Sequence, residues 1–338
     1  MSGSIILGIE SSCDDTSAAI ISGNKILSNV AANQEIHNEY GGVVPELASR
    51  AHQQNIIPVV EKAFSKANIQ QNDICAIGFT RGPGLLGSLL VGTSFAKSLA
   101  MSLDVPLIEV NHLQAHILAH FIDDANPTSP TFPFLCLTVS GGHTMIVLVK
   151  DYFGMEIIGK TIDDAAGEAF DKIGKIFDLD YPAGPIIDKL AKEGNPDAFQ
   201  FNKPRMENYD YSFSGIKTSV LYFIQKEVRK NPDFIKENLN DLCASVQKSI
   251  IEILMNKLEK ASVDLNIKDV AIAGGVSANS ALRKAMENNQ EKLGWNIFIP
   301  KFEYTTDNAA MIAMVAKLKY ERGEFTDIRT TATAKYDL

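Results

Sequence analysis

The chain has 338 residues, 45% apolar and 22% charged, which excludes a disordered chain, a collagen-like repeat and a coiled coil, and its length predicts two domains. Its 32 Lys and Arg stand against 41 Asp and Glu, a net charge of −9 with His neutral. That balance excludes a general nucleic-acid-coating protein, whose binding is driven by cations that displace counterions from phosphates. Any contact with nucleic acid must be local or helped by partners.

In chain order, the N-terminal MSGSIILGIESS lacks a basic region and meets Glu10, so no signal peptide is expected and the mature chain is expected to begin near Met1. Apolar, β-rich runs predict strands at 5–9, 18–21, 74–79, 106–110, 134–139, 145–149, 270–273 and 296–299. Helical spacing fills several of the gaps. It is clearest over 242–261, where Leu242, Val246, Ile250, Leu254 and Leu258 recur every four residues with Lys and Glu opposite. Strands alternating with helices predict an α/β protein. The longest stretch without Asp, Glu, Lys or Arg, 125–149, is broken by Pro127, Pro130, Pro133 and the Ser140-Gly141-Gly142-His143 turn, so no membrane span is expected. Cys13, Cys75, Cys136 and Cys243 form no Cys-x-x-Cys pair and read as reduced cytosolic thiols.

A duplication is visible when segments are set side by side. IILGIESSCDDTSAAII and FLCLTVSGGHTMIVLV each read strand, small polar turn, Thr, strand; AIGFTRGPGLLGSLLVG and AIAGGVSANSALRKAM each read strand, Gly-rich turn, helix. Two copies of one unit predict two similar lobes with a ligand cleft between them.

The residues suited to chemistry cluster in these turns. Glu10 to Thr16 offers hydroxyls, amides and the carboxylates of Asp14 and Asp15, suited to phosphate or a cation, unless it is a plain solvated turn. The Ser140–Thr144 turn repeats it, its glycines letting backbone approach a ligand, so the two together predict a two-sided phosphate clamp. Gly274-Gly275-Val276-Ser277-Ala278-Asn279 opens a helix; Asn279 can bond a base or ribose, or Ser277 or Asn279 can simply cap. Gly82-Pro83-Gly84-Leu85-Leu86-Gly87 satisfies the dinucleotide pattern, with Glu109 near the expected distance, but its strand is not the first of its lobe and the duplicate lacks the pattern.

His112 and His116, four apart, share a helix face and can bind one metal, whereas His120 drifts off that face and fits a core or surface role. Leu113 stands where a zinc protease carries its glutamate base. Asp307, just before a helical run, offers a third ligand or an N-cap; two His and one Asp suit iron(II), zinc or manganese. Asp163, Asp164, Glu168, Asp171, Gly184 and Asp188 offer acids and a turn for ribose hydroxyls, or only a charged helix face. Lys217 beside aromatics, with Lys203 and Arg205 near in sequence, can touch RNA phosphate or stack a base, or form a surface loop.

Read together, GIESSCDDTSAAI, GGVVPELASRAH, TRGPGLLGSLLVG, NHLQAH, TVSGGHT, IDDAAGEAFDK, YPAGP, SFSGIKT, GGVSAN and TDNAAMIA resemble the tRNA N6-adenosine threonylcarbamoyltransferase family nearly end to end, with Asp15, Ser17 and Ala183 as small departures. The resemblance implies a duplicated actin-like (ASKHA, ribonuclease-H-like) fold, with an N-terminal lobe of 1–120 plus 308–338 and a C-terminal lobe of 121–307. It implies transfer of threonylcarbamoyl from threonylcarbamoyl-adenylate to the N6 amine of adenosine 37, in tRNAs reading ANN codons, with release of AMP. By motif, His112, His116 and Asp307 would hold one divalent metal, iron in preference to zinc, and Thr138, Val139, Ser140, Gly141, Gly142, Asp171, Gly184, Asp188 and Asn279 would bind substrate. Asp14 is a candidate base. The implied partners are tRNA, a catalytically silent paralogue of the same fold and a small ATPase, in the cytoplasm. The alternatives are a small-molecule kinase of the same fold, a metallopeptidase or a non-catalytic scaffold.

Overall fold

The computed structural model describes residues 3–34, 37, 40–204 and 206–338. The chain forms two compact units, 1–129 with 300–338, and 130–299. Each holds one five-stranded sheet. In the first, β1 (Ile5–Glu10), β2 (Thr16–Ser22), β3 (Lys25–Ala32), β4 (Ala76–Gly82) and β5 (Leu107–Asn111) lie in the order β3-β2-β1-β4-β5. In the second, β6 (Phe134–Val139), β7 (Thr144–Val149), β8 (Met155–Lys160), β9 (Asp269–Ala273) and β10 (Asn296–Phe298) lie in the order β10-β9-β6-β7-β8. Reversed, that order is the first one. The first three strands of each set pair antiparallel and the last two join parallel, so the sequence duplication is a duplication of topology.

The sequence reading misses β3 and β8. Both are edge strands with half-exposed, polar patterns, and neither carries the apolar run that marks a strand buried on both faces.

In the first unit the period of two divides β1 and β4 between two helical layers. Leu7, Ile9, Ile77 and Phe79 form one core with Ile56, Val59 and Val60 of α1 (Pro45–Ala67) and Ala96 and Ala100 of α2 (Leu86–Leu103). The intervening Gly8 and Gly78 face α9 (Ala309–Glu321), where a Cβ on Gly8 would stand 2.6 Å from the Ala309 carbonyl oxygen and one on Gly78 would stand 2.4 Å from the Ala316 Cβ. Glycine in the strands and alanine in the helix thus bring α9 onto the sheet, and α9 also packs against α3 (His112–Leu118). The residues just before α9 are thereby brought beside α3.

Among the described residues one helix, α2, is long and apolar enough to cross a membrane by length and composition. Its Ala96 and Ala100 belong to the core of this unit, and it packs against α1 and β4.

The second unit carries α4 (Ala166–Ile176), α5 (Ala183–Ala191), α6 (Ser214–Val228), α7 (Phe234–Leu265) and α8 (Ser280–Leu293). The predicted helix 242–261 lies inside α7, and all five of its periodic residues are buried in one core with β6, β9 and Trp295.

Gly78→Ala is expected to force α9 off the sheet and to destabilise the fold by about 1–3 kcal/mol, the usual range for overpacking, which thermal unfolding with the circular-dichroism signal as probe will measure.

Candidate metal centre and substrate turns

The centre begins at the end of β5. Asn111 caps α3, its side-chain oxygen accepting from the amides of Leu113 (2.9 Å) and Gln114 (3.2 Å), while its amide nitrogen donates to the Asp337 carbonyl at 2.8 Å. The C-terminal segment therefore ties down the start of the helix that carries the histidines. On α3, His112 and His116 share the buried face, ring centroids 4.7 Å apart and nearly perpendicular. Asp307 places Oδ1 3.4 Å from His112 Nε2 and 3.1 Å from His116 Nε2. One ligand atom from each of the three residues lies within 4.8 Å of the others, the spacing of a metal-binding group. Asp307 is not the helix cap. That role falls to Asn308, whose side chain accepts from the Met311 amide.

Glu10, fully buried at the end of β1, is a residue the sequence reading left within a polar turn. Its carboxylate accepts from Thr80 Oγ1 at 2.6 Å, from the Ser12 amide and from His112 Nδ1 at 3.1 Å. The signal for it in the sequence is a lone acid closing an apolar strand. Because Nδ1 faces a carboxylate it carries the hydrogen, and a neutral ring would then turn the Nε2 lone pair toward the Asp307 carboxylate. Two acceptors so placed require a cation between or upon them, a proton or a metal ion. A carboxylate behind a histidine that faces a third donor is also the usual support of a metal-ligating imidazole. The residues therefore fit a divalent metal.

The same geometry sets the charge states of the metal-free centre. Burial works against charge on His112, yet Asp307 and Glu10 hold its ring well above the ordinary histidine range. Burial likewise works to raise Glu10 and Asp307, and the His112 ring keeps both carboxyls below the usual range. Beside them, burial first and then the charges of Asp14, Asp307 and Glu10 push the Asp15 carboxyl up to about 7. Asp15 can therefore exchange a proton near neutrality.

The remaining histidine of the motif lies on a short 3-10 turn after α3. His120 is fully buried, its Nδ1 2.9 Å from the Asn126 amide nitrogen, a core histidine. The dinucleotide pattern is not a ligand cradle. The space above Gly82 is taken by the Thr333 carbonyl, above Gly84 by Ser12 and above Gly87 by Ser49 Oγ, while Glu109 pairs with Arg81 at 2.8 Å.

In the second unit, Thr138 and Val139 end β6 and the chain turns at Ser140, whose hydroxyl accepts from the His143 amide at 3.1 Å. No atom lies within 4 Å of where a Cβ would stand on Gly141, Gly142 or Gly184, so packing does not demand glycine there. Asp171 on α4 accepts from the Ala183 amide at 2.8 Å and so caps α5; Asp188 on α5 accepts from the amide and hydroxyl of Ser280 at the start of α8. Asn279 caps α8 through its oxygen and donates to Gln247 Oε1 at 2.7 Å. These three side chains tie α4 to α5, α5 to α8 and α8 to α7. Asp163 caps α6 through Ser214 and Phe213, and Asp164 and Glu168 both pair with Lys172, a charged helix face. Tyr211 and Phe213 stack in the core, the Tyr211 hydroxyl donating to the Leu254 carbonyl, so neither is open to a base. Arg205 lies outside the described residues.

The duplicated sheet defines an actin-like α/β protein, and the fold matches component A of (R)-2-hydroxyglutaryl-CoA dehydratase from Acidaminococcus fermentans with a TM-score of 0.53 at 15% identity, over 94% of this chain and all of that one. Sequence similarity is far closer. A profile of the tRNA N6-adenosine threonylcarbamoyltransferase family matches residues 25–314. The transferase of that name from Riemerella anatipestifer is 84% identical over all of this chain and 99% of its own length, and that from Christiangramia forsetii is 61% identical over 98% and 97%. The chain belongs to the tRNA N6-adenosine threonylcarbamoyltransferase family, a family of transferases whose substrate is tRNA.

Because the raised pKa of His112 means that its ring is protonated below that value, a metal ion must displace the proton. Affinity for Zn²⁺, read by chelator competition, is expected to rise about tenfold per pH unit between pH 5.5 and 7 for one proton released. Uptake that does not vary with pH would contradict the assignment.

Proposed function

We propose that this chain makes threonylcarbamoyladenosine: it transfers the threonylcarbamoyl group of threonylcarbamoyl-adenylate to the N6 amine of adenosine 37 in tRNAs reading ANN codons and releases AMP. The observation that carries the reading is the group of His112 and His116, both buried, with half-buried Asp307, and with Glu10 behind it, in a chain of this family. A small-molecule kinase of the same fold has no comparable support.

The chemistry needs little covalent help, because the donor is already an activated mixed anhydride. The bond from N6 to the carbamoyl carbon forms, the bond from that carbon to the phosphate oxygen breaks, and the amine proton goes to a base. We assign the open Gly141 and Gly142 turn, with Thr138, Val139 and Ser140, to close backbone approach of the donor, and Asp171, Gly184, Asp188 and Asn279 to the nucleotide end. Asp171 and Asp188 each have one carboxylate oxygen committed to a helix start, which fixes the direction of the other. For the proton, Asp14 is the candidate by motif, and Asp15 beside it, pushed up to about 7 by burial, also suits a base working near neutrality. His112, His116 and Asp307 would hold one divalent ion, iron in preference to zinc, which supplies Lewis-acid stabilisation of phosphate charge.

We assign the two compact units as the two lobes of the fold, and we place the protein in the cytoplasm, a compartment that suits four free thiols and a tRNA substrate. Partners are a silent paralogue of the same fold and a small ATPase. What supports a protein partner is the outer face of α1 and α2, where Ile57, Leu86, Leu90 and Met101 are exposed. Partners can supply the basic tRNA contacts that a net charge of −9 leaves short.

Mass spectrometry of nucleosides, after unmodified tRNA is incubated with this protein, its partners, a synthase, threonine, bicarbonate and ATP, is expected to show threonylcarbamoyladenosine. The His112→Ala variant should give none; no product from the unaltered chain with active partners would overturn the reading. Leu90→Glu should abolish co-elution with the paralogue on size exclusion while leaving the thermal midpoint within a few degrees, because it places a charge on an exposed position.

A further inference from the structure

We propose that His52 on α1 and Ser88 on α2 are positioning residues that aim the acidic turn of Asp14 and Asp15 by gripping the carbonyl of Cys13 between them. This inference rests on the transferase reading for its effect on rate, and on geometry alone for the grip.

The turn that joins β1 to β2 cannot hold itself in place by sheet pairing. Instead the Cys13 carbonyl oxygen accepts from His52 Nε2 at 3.0 Å and from Ser88 Oγ at 3.0 Å, so both of its lone pairs are occupied. The other ring nitrogen of His52, Nδ1, lies 2.7 Å from Thr16 Oγ1. Since Nε2 meets a carbonyl it must carry the hydrogen, which makes Nδ1 the acceptor of the Thr16 hydroxyl. One neutral ring therefore bonds residues 13 and 16, the two that bracket Asp14 and Asp15. Burial, acting against charge, keeps the ring in that neutral form.

From α2 come two more bonds. Ser11 Oγ donates to the Ser88 carbonyl at 3.0 Å, and the Leu85 amide donates to the Ser12 carbonyl at 2.7 Å. Gly92, one turn further along, leaves only 2.2 Å between a would-be Cβ and Ser11 Oγ, so α2 lies directly against the turn. Residues 11, 12, 13 and 16 are each bonded to α1 or α2 or to the residue that leads into α2, while Asp14 and Asp15 remain half-exposed between them. The helices whose outer faces expose Ile57 and Leu90 are the ones whose inner faces hold Cys13. A partner that fixes their spacing also fixes the two donors, and so the direction of both carboxylates.

The test compares the unaltered chain with Ser88→Ala, His52→Ala and His52→Gln, in which the Gln amide can still reach the Cys13 carbonyl. Cys13 and Cys75 are both free; burial, and then the Asp14 carboxylate beside it, hold the Cys13 thiol well above the usual thiol range, so slow alkylation at Cys13 reports a closed turn and Cys75 serves as the control outside it. Alkylation by iodoacetamide, followed by peptide mass spectrometry, is expected to quicken about tenfold at Cys13 in the two Ala variants and to stay unchanged at Cys75. In the assay with partners, kcat should fall about 10- to 100-fold, the scale of a misplaced catalytic group. KM for tRNA and bound metal should stay within twofold, and His52→Gln should recover most of the rate. Equal quickening at both cysteines, unchanged alkylation at Cys13, unchanged kcat in both Ala variants, or loss of metal in step with kcat would each overturn the proposal. If the unaltered chain makes no product, the transferase reading fails, and the alkylation rates still decide the grip.

Discussion

The first unit is organised around one chain of polar contacts, from fully buried Glu10 through His112 to half-buried Asp307. Burying two carboxylates and an imidazole removes them from water at a cost that only mutual contact and hydrogen bonding offset. Thr80 and the Ser12 amide satisfy one end, and His116 the other. These groups come from five segments: β1, β4, the turn after β1, α3, which carries both histidines, and the approach to α9. Removing His112 leaves the buried Glu10 carboxylate and Asp307 without the ring between them, so the centre and the fold around it are held by the same contacts.

Such a centre needs backbone segments closer together than ordinary packing allows. Gly8 and Gly78 let α9 lie on the sheet, and the alanines of α9 complete the fit. Asn111 closes the start of α3 and is itself bonded to the C-terminal segment, so residues more than 200 positions apart decide where two imidazoles point. The C-terminal segment also covers Gly82 through Thr333 and sets the Tyr336 hydroxyl 3.0 Å from Glu109. The glycines of this loop serve packing between segments of the protein, which is why their dinucleotide-like spacing carries no ligand.

The second unit repeats the sheet and uses its acids differently. Where the first gathers carboxylates about histidines, the second sets Asp163, Asp171 and Asp188 at the starts of α6, α5 and α8, where backbone amides and the helix dipole favour negative charge. The same strand-turn-strand unit thus carries a metal-type centre in one copy and a frame of capped helices about an open glycine turn in the other.

Much of this was legible in the sequence. The apolar runs of the inner strands, the four-residue recurrence in α7, the two copied segments and the His112 and His116 spacing are local signals, set by the strand period of two and the helix period of 3.6. The motifs together also marked the family. Edge strands β3 and β8 escaped because an edge needs only half a buried face, and the aromatics before Lys217 read as exposed because nothing local says that the segment leading into α6 runs against the core. Tertiary structure alone decided that Asp307 turns to His112 and His116 and leaves the cap of α9 to Asn308, that Glu10 stands behind His112, and that His52 and Ser88 meet at one carbonyl. Those facts join residues tens to hundreds of positions apart, and a hydrogen bond or an ion pair depends on distance in space, which sequence spacing fixes only within a single turn of helix or a single pair of strands.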